Sequence, residues 1–433
     1  MSTVAVGITG FFVMVALMLV GVPIAAVMLL LGLVGGFMAY GFAFFSSSAS
    51  VAWGVMSDYG LTAIPLFVML GEVLLRSGIA DRMYTVFAAW LGRLPGGLLH
   101  TNIGCCALFA ATSGSSVATA ATIGTVALPS LRKNGYPMAD SLGSLAAGGT
   151  LGIMIPPSIN FIIYGSMTNT SAGKLFIAGI IPGLSLALLF MVWIFIRHTT
   201  GGARTEPVRV PLGERVRLLR YLFEPLLVFG VVMGSLYSGL ATATESAALG
   251  LVIALVLVAI QGRLTSKLLE TCFLSSARTT GMILFIVLGA FILNLALSLT
   301  GIGEALTKWV IGFGLGRVSL MLVLILFYLV LGMFMDTLSM MVATIPLTFP
   351  VVSSVGADPI WFGVFIVLMC ELGLITPPVG MNLFVVQGIR PDKGPVADVI
   401  RGATPYALIM ILFAIALILF PGIATWLPTY MRG

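Results

Sequence analysis

Asp336 follows an apolar stretch, Leu320 to Met335, that contains no Asp, Glu, Lys, Arg or His. A carboxylate at membrane depth costs about 2.5–3.5 kcal/mol on insertion scales, which makes it a functional-site residue by default. Its expected counterpart is a cation, held by Asp336 with Thr337, Thr376 and carbonyls from Pro377 to Met381. A protonated or internally hydrogen-bonded Asp336 is the plainer alternative. A second oxygen-rich cluster runs Ala111-Thr112-Ser113-Gly114-Ser115-Ser116-Val117-Ala118-Thr119. Gly114 permits a tight reversal there. Such a tip leaves carbonyls at the end of one half-helix and N–H groups at the start of the next. Carbonyls suit a sodium ion, and helix N-termini suit a carboxylate. Close helix packing through small residues is the competing explanation.

Two proline pairs break the apolar segments. Leu151-Gly152-Ile153-Met154-Ile155-Pro156-Pro157-Ser158 returns 221 positions later as Leu372-Gly373-Leu374-Ile375-Thr376-Pro377-Pro378-Val379. The same offset carries Pro129 onto Pro350 and Gly114-Ser115-Ser116 onto Met335-Asp336-Thr337. Each pair removes two N–H donors and leaves carbonyls unpaired. A kink is the plain reading of Pro156-Pro157-Ser158-Ile159-Asn160, and a local ion site is the functional one. In lipid, freed backbone groups must face protein or a polar cavity. Matched breaks in two halves of a chain point to a transporter's binding site.

The elements that must position these residues are membrane helices. The chain is 59% hydrophobic and 8% charged, and apolar runs of about 20 residues recur along it, each long enough to span a bilayer. Val4 to Val20 lacks a basic leader and a small-residue cleavage site, so it reads as a retained span. Spans are expected near 4–20, 22–45, 54–75, 174–196, 221–240, 243–261, 279–299 and 403–421. Segments 95–131 and 318–352 read as re-entrant hairpins, and 139–166 and 360–387 as broken helices. Ile79–Gly92 and Gly303–Gly314 read as surface helices leading into the hairpins. About five crossings per half then invert the second half relative to the first. The positive-inside rule supports this count. Of the 21 Lys and Arg, only Lys174, Lys308, Arg317 and Arg432 fall on the outer side.

The expected fold is an all-α polytopic membrane protein of two inverted repeats, each with one re-entrant helical hairpin. Residues 1–196 form the first repeat and 221–433 the second. A cytoplasmic Arg-rich linker, 197–220, joins them, either among anionic headgroups or simply solvated. Both termini lie outside. Cys105, Cys106, Cys272 and Cys370 have no metal-ligand spacing and read as free, buried thiols. Glu72 stands one turn from Arg76, as in an interface pair. Glu245 starts a helix in Thr242-Ala243-Thr244-Glu245-Ser246, where an acid cap is favourable. Glu371, one turn before the second break, could assist an ion site or brace its helix.

Taken in order, the Gly-Ser-Ser tip, Gly152–Ser158, Ala243-Thr244-Glu245-Ser246-Ala247, Met335-Asp336-Thr337 and Thr376-Pro377-Pro378-Val379-Gly380-Met381-Asn382 resemble a known family. It is the large membrane (M) subunit of TRAP (tripartite ATP-independent periplasmic) transporters, and the similarity covers essentially the whole chain. Ala243 stands where the family usually has Pro. The resemblance implies an elevator-type, sodium-coupled secondary transporter in the bacterial inner membrane, with scaffold and transport domains. It also implies a small four-helix membrane subunit (Q type) and a periplasmic binding protein (P type) that delivers an organic acid, such as a sialic acid or C4-dicarboxylate. On that pattern the first sodium site comprises Gly114, Ser115, Ser116, Ile155, Pro156, Ser158 and Asn160. The second comprises Asp336, Thr337, Thr376, Pro377, Gly380 and Met381. Substrate would lie between the tips, against Ser113, Ser116, Thr119, Thr337 and Asn382.

Other classes fit less well. A single-component anion symporter driven by sodium or protons would share the architecture. A membrane enzyme is disfavoured, because His100 and His198 lie outside any His-Glu-x-x-His helix and no intramembrane carboxylates are suitably paired. No polar face runs through several spans, as a channel would need. No Gly-x-x-x-x-Gly-Lys-Ser/Thr loop is present, so ATP is not the expected energy source.

Overall fold

Helix ends, more than helix interiors, organise this chain. The computed structural model describes residues 3–200 and 210–431. Residues 201–209 of the expected linker, and Arg432 of the charge reading, lie outside the described residues. Among the described residues the structure is entirely helical. It opens with α1 (Thr3–Leu19), α2 (Ile24–Tyr40), α3 (Ala43–Met56), α4 (Ala63–Arg76) and α5 (Ile79–Leu91). Then follow α6 (Leu98–Ser113), α7 (Ser116–Lys133), α8 (Met138–Met154), α9 (Ile159–Thr168) and α10 (Ala172–Thr200). The second half has α11 (Leu212–Leu218), α12 (Phe223–Tyr237), α13 (Ala243–Ile260), α14 (Ser266–Leu299) and α15 (Ile302–Ile311). It closes with α16 (Arg317–Gly332), α17 (Thr337–Ser354), α18 (Pro359–Leu374), α19 (Met381–Gly388), α20 (Val396–Leu419) and α21 (Gly422–Tyr430).

Several boundaries depart from the sequence expectation for local reasons. The run 22–45 is not one helix, because Gly41 adopts a left-handed φ of 61° and ends α2. The serine-rich segment beyond it is helical, as α3. Asp58 then accepts a hydrogen bond from the Gly60 N–H at 2.8 Å and starts the turn into α4. Thr265 caps α14 by accepting from the Leu268 N–H at 3.2 Å, so that helix begins well before residue 279. The segment 197–220 is partly helical, holding the end of α10 and all of α11. Among the described residues, six helical stretches are individually long and apolar enough to cross a membrane. The α8–α9 pair, bent by 42°, adds a seventh. The other crossings expected from the sequence would have to use shorter apolar helices such as α1, α2 and α18.

The two helices that precede the proline breaks form the centre. Every residue from Ser141 to Met154 on α8 is buried, as is every residue from Trp361 to Leu374 on α18. A helix apolar on all faces belongs in a protein interior. Helix α8 packs against α6, α7, α18, α19 and α20, while α2, α4 and α13 gather around α14 or its neighbours. Glycines let the central helices meet backbone to backbone, the usual route to tight packing in lipid. A Cβ on Gly402 of α20 would lie 1.9 Å from the Ala139 carbonyl oxygen, and one on Gly143 of α8 would lie 2.2 Å from the Gly402 carbonyl carbon. The surface helix α5 is fastened differently. Arg82 donates to both Glu224 oxygens, at 3.2 and 2.8 Å, and to Gln261 at 3.0 Å.

The α8–α20 crossing has no room for a methyl group. Gly402→Ala should destabilise the protein by about 1–3 kcal/mol through overpacking, seen as a lower unfolding temperature in detergent. Gly388→Ala, where nothing lies within 4 Å of the added atom, should leave that temperature unchanged or slightly raised.

Candidate functional site

Two helix N-termini open onto one chamber. Ser115 is the N-cap of α7, its hydroxyl accepting the Ala118 N–H at 3.4 Å. The residue 221 positions on, Asp336, is the N-cap of α17. Its carboxylate accepts the Ser339 N–H at 3.1 Å and is also bonded by the Ser339 hydroxyl. Both residue types are strong N-caps because a short side-chain oxygen reaches an orphan N–H of the first turn. Capping accounts for one donor at each end; the rest of each first turn carries the partial positive charge of a helix start. The connections are minimal, with Gly114 left-handed at φ 60° in the first tip.

The chamber has a volume of about 840 Å³. Ser113 to Ala118 line it from the first tip, and Phe334 to Ser339 from the second. Glu72 and Asp336 are its only ionisable lining groups among the described residues, with no Lys, Arg or His. Glu72 is already engaged, accepting from Arg76 at 3.0 Å and from the Ser275 hydroxyl at 2.6 Å. An anion entering the chamber would therefore meet helix ends and hydroxyls, not basic side chains.

Behind each tip sits a broken helix. The peptide bonds Pro156–Pro157 and Pro377–Pro378 are both cis. At the first break, the Pro157 carbonyl oxygen comes within 3.1 Å of where a Gly114 Cβ would stand. At the second, the carbonyl oxygens of Leu374 and Thr376 each come within 3.0 Å of the corresponding point on Gly380. Glycine at 114 lets a break carbonyl reach the first tip, and glycine at 380 lets two carbonyls converge within the second break, the donor type a hard cation takes. The Val379 N–H donates to the Met333 carbonyl at 3.2 Å, joining the second break to its hairpin. At the first break the buried Ser158 Oγ, a possible cation ligand, has no hydrogen-bond partner among the described residues. The residues present are thus an oxygen-rich set suited to sodium.

The expected residues divide by position. Gly114, Ser115, Ser116 and Asn160 line the chamber, as do Asp336, Thr337 and Met381. Ile155, Pro156, Ser158, Thr376, Pro377 and Gly380 lie behind it at the breaks, with Thr376 donating to the Leu372 carbonyl at 2.6 Å. Of the residues expected to meet substrate, Ser113, Ser116 and Thr337 face the chamber. Thr119 and Asn382 are not among its lining residues. Thr119 spends its hydroxyl inside the tip, on the Ser115 carbonyl at 2.8 Å and Ser113 at 2.9 Å. Asn382, fully buried, donates across the repeats to the Ala146 carbonyl at 3.2 Å. The spacing of Glu72 and Arg76 points only to an interface pair, and no sequence signal marks the opposite wall. That wall is the Gly21–Ala25 turn and the Thr279–Ile286 face of α14, apolar segments that read simply as span.

The family model "Tripartite ATP-independent periplasmic transporter, DctM component" matches residues 11–423. The C4-dicarboxylate TRAP transporter large permease protein DctM of Vibrio cholerae is 32% identical, over 98% of this chain and 97% of that protein. The ectoine/5-hydroxyectoine large permease protein UehC of Ruegeria pomeroyi is also 32% identical, covering 97% and 98%. Among solved structures, the Alcanivorax borkumensis YdaH transporter superposes with a TM-score of 0.63 at 14% identity, covering 95% of this chain and 98% of that one. The chain belongs to the DctM family, the large permease component of tripartite ATP-independent periplasmic transporters.

Proposed function

We propose that this permease imports an organic acid in symport with sodium, carrying it between the two hairpin tips. The observation that supports this most directly is the convergence at one chamber. Two capped helix N-termini face it, and carbonyls from two proline breaks gather immediately behind. Helix N-termini bind a carboxylate without a basic side chain, and the chamber has none. Sodium at the second site neutralises Asp336 and organises the carbonyls of Leu374 and Thr376. Sodium at the first site lies among Gly114, Ser115, Ser116 and the backbone around Pro156 to Asn160. With both ions in place, the tips present only partial positive charge to the substrate carboxylate. Ion binding thereby favours substrate binding, and by linkage the reverse holds.

On this reading the hairpins and broken helices move as a unit against α1, α2, α12 and α13, an elevator motion of an inverted-repeat fold. The chain sits in the bacterial inner membrane with both termini periplasmic. A Q-type four-helix subunit stabilises the scaffold, and a P-type periplasmic binding protein delivers the acid. A single-component symporter would instead transport without that protein.

Removing the charge at the second site tests the ion assignment. Asp336→Asn, which keeps a capping oxygen for α17, should raise the sodium concentration for half-maximal uptake by at least about tenfold in reconstituted vesicles. Uptake that ignores sodium and follows an imposed pH gradient would replace sodium by protons as the coupling ion. Filling the chamber tests the substrate assignment separately. Ala118→Trp should abolish uptake while sodium still raises the unfolding temperature of the purified protein; uptake at the parent rate would place the substrate elsewhere.

A further inference from the structure

Glu371 is a fully buried carboxylate with no basic partner among the described residues. It lies on α18, in the second half of the chain, and its side chain reaches into the first hairpin. Its Oε1 accepts the hydroxyl of Ser116 at 2.7 Å, 255 residues away in sequence, and the N–H of Ile153 at 3.0 Å. Its Oε2 is buried and has no hydrogen-bond partner. No Lys, Arg or His among the described residues forms an ion pair with it. Burying an ionised carboxylate without a counter-charge is strongly unfavourable, so Glu371 in its ionised form requires a cation close by.

The direction of the Ser116 hydrogen bond supplies the rest. A hydroxyl has one proton and two lone pairs. When Ser116 gives its proton to Glu371, its lone pairs are left for another partner, and Ser116 lines the chamber beside Ser115 and Gly114. That is the orientation a cation ligand needs. We propose that Glu371 is the positioning carboxylate of the first sodium site: it turns the Ser116 oxygen toward the ion and supplies, from one shell out, the negative charge that the first hairpin lacks. Outer-shell carboxylates orient ligands and raise their basicity in this way.

The internal repeat shows why the acid comes from the other half. At the 221-residue offset Ser115 aligns with Asp336, so only the second tip carries its own charge. Glu371 aligns with Thr150, whose hydroxyl turns back onto the Ala147 carbonyl at 2.6 Å within its own helix. Apart from Glu72, which Arg76 and Ser275 engage, each tip thus has one acid, and both of these come from the second half. The second tip's acid caps its helix directly, and the first tip's acid acts through Ser116 and Ile153. The same contact fastens α18 to the first hairpin, so the two sites share a wall.

The inference rests on the sodium reading of the tips and can fail separately from it. The probe is sodium chloride, titrated against choline chloride at constant ionic strength, with the unfolding temperature of the purified full chain as readout. Glu371→Gln keeps the shape and an oxygen that accepts from Ser116 but removes the charge. It should need about ten to a hundred times more sodium for half of the full shift. In an Asp336→Asn background, where only the first site is charged, adding Glu371→Gln should remove the remaining sodium-specific shift. Ser116→Ala removes one hydroxyl from a tip of small residues and serves even if the Gln variant does not fold. It should raise the sodium midpoint in the same direction, and its effect should not add to that of Glu371→Gln. A parent-like midpoint in Glu371→Gln, which a permanently protonated Glu371 would give, overturns the proposal. So does a parent-like midpoint in Ser116→Ala. If the parent itself shows no sodium-specific shift, the sodium reading fails and the proposal with it.

Discussion

A backbone group without a hydrogen-bond partner is not tolerated in hydrocarbon, and this chain breaks two of its most buried helices. Pro156-Pro157 and Pro377-Pro378 interrupt the ladders of α8 and α18, which are otherwise buried on every side. The liberated carbonyls have to face protein or an ion, so other elements must come to them. The hairpin tips do so, with Gly114 meeting Pro157 and the second tip bonded to Val379. The tips have freed groups of their own, the N–H donors of α7 and α17. Placing these beside the carbonyls puts donors for an anion next to acceptors for a cation. Much of the permease can be understood as a means of bringing those two sets together around one chamber.

The close approach has a structural requirement that the glycines meet. Breaks and tips can only touch if the helices carrying them pack at backbone distance. Gly152 lies against the Ser116 backbone, Gly71 against Ser113, and Gly332 against Gly373. These contacts fix positions without filling space with side chains, which leaves the chamber open. They also couple stability to function, since a bulkier residue at any of them would move a tip relative to its break.

Much of the site was legible in the sequence, because its signals are local. Proline pairs, a Gly-Ser-Ser run and an isolated acid can each be recognised without knowing what they touch, and the 221-residue offset related them to one another. Asp336 and Ser115 were aligned by that offset, and both prove to be N-caps. What could not be read is what depends on tertiary contact. Thr119 spends its hydroxyl on Ser115 and Ser113, and Asn382 turns its amide N–H onto Ala146, away from the chamber. Glu371 had two open roles because nothing local reveals that its carboxylate reaches Ser116 from the opposite half. The far wall of the chamber, on α14 and the turn before α2, is apolar and indistinguishable from lipid-facing span until the helices are packed. Gly41 was likewise absorbed into one long apolar run, and most of α3 fell between two expected spans.

The central claim is that these tips bind sodium and an organic acid together and move them as one load. The most direct measurement is the entry of radioactive sodium into vesicles carrying the permease with its membrane subunit and loaded binding protein. The account predicts sodium influx that begins only when substrate is delivered and stops when either is withheld. Substrate accumulation with no accompanying sodium would contradict it.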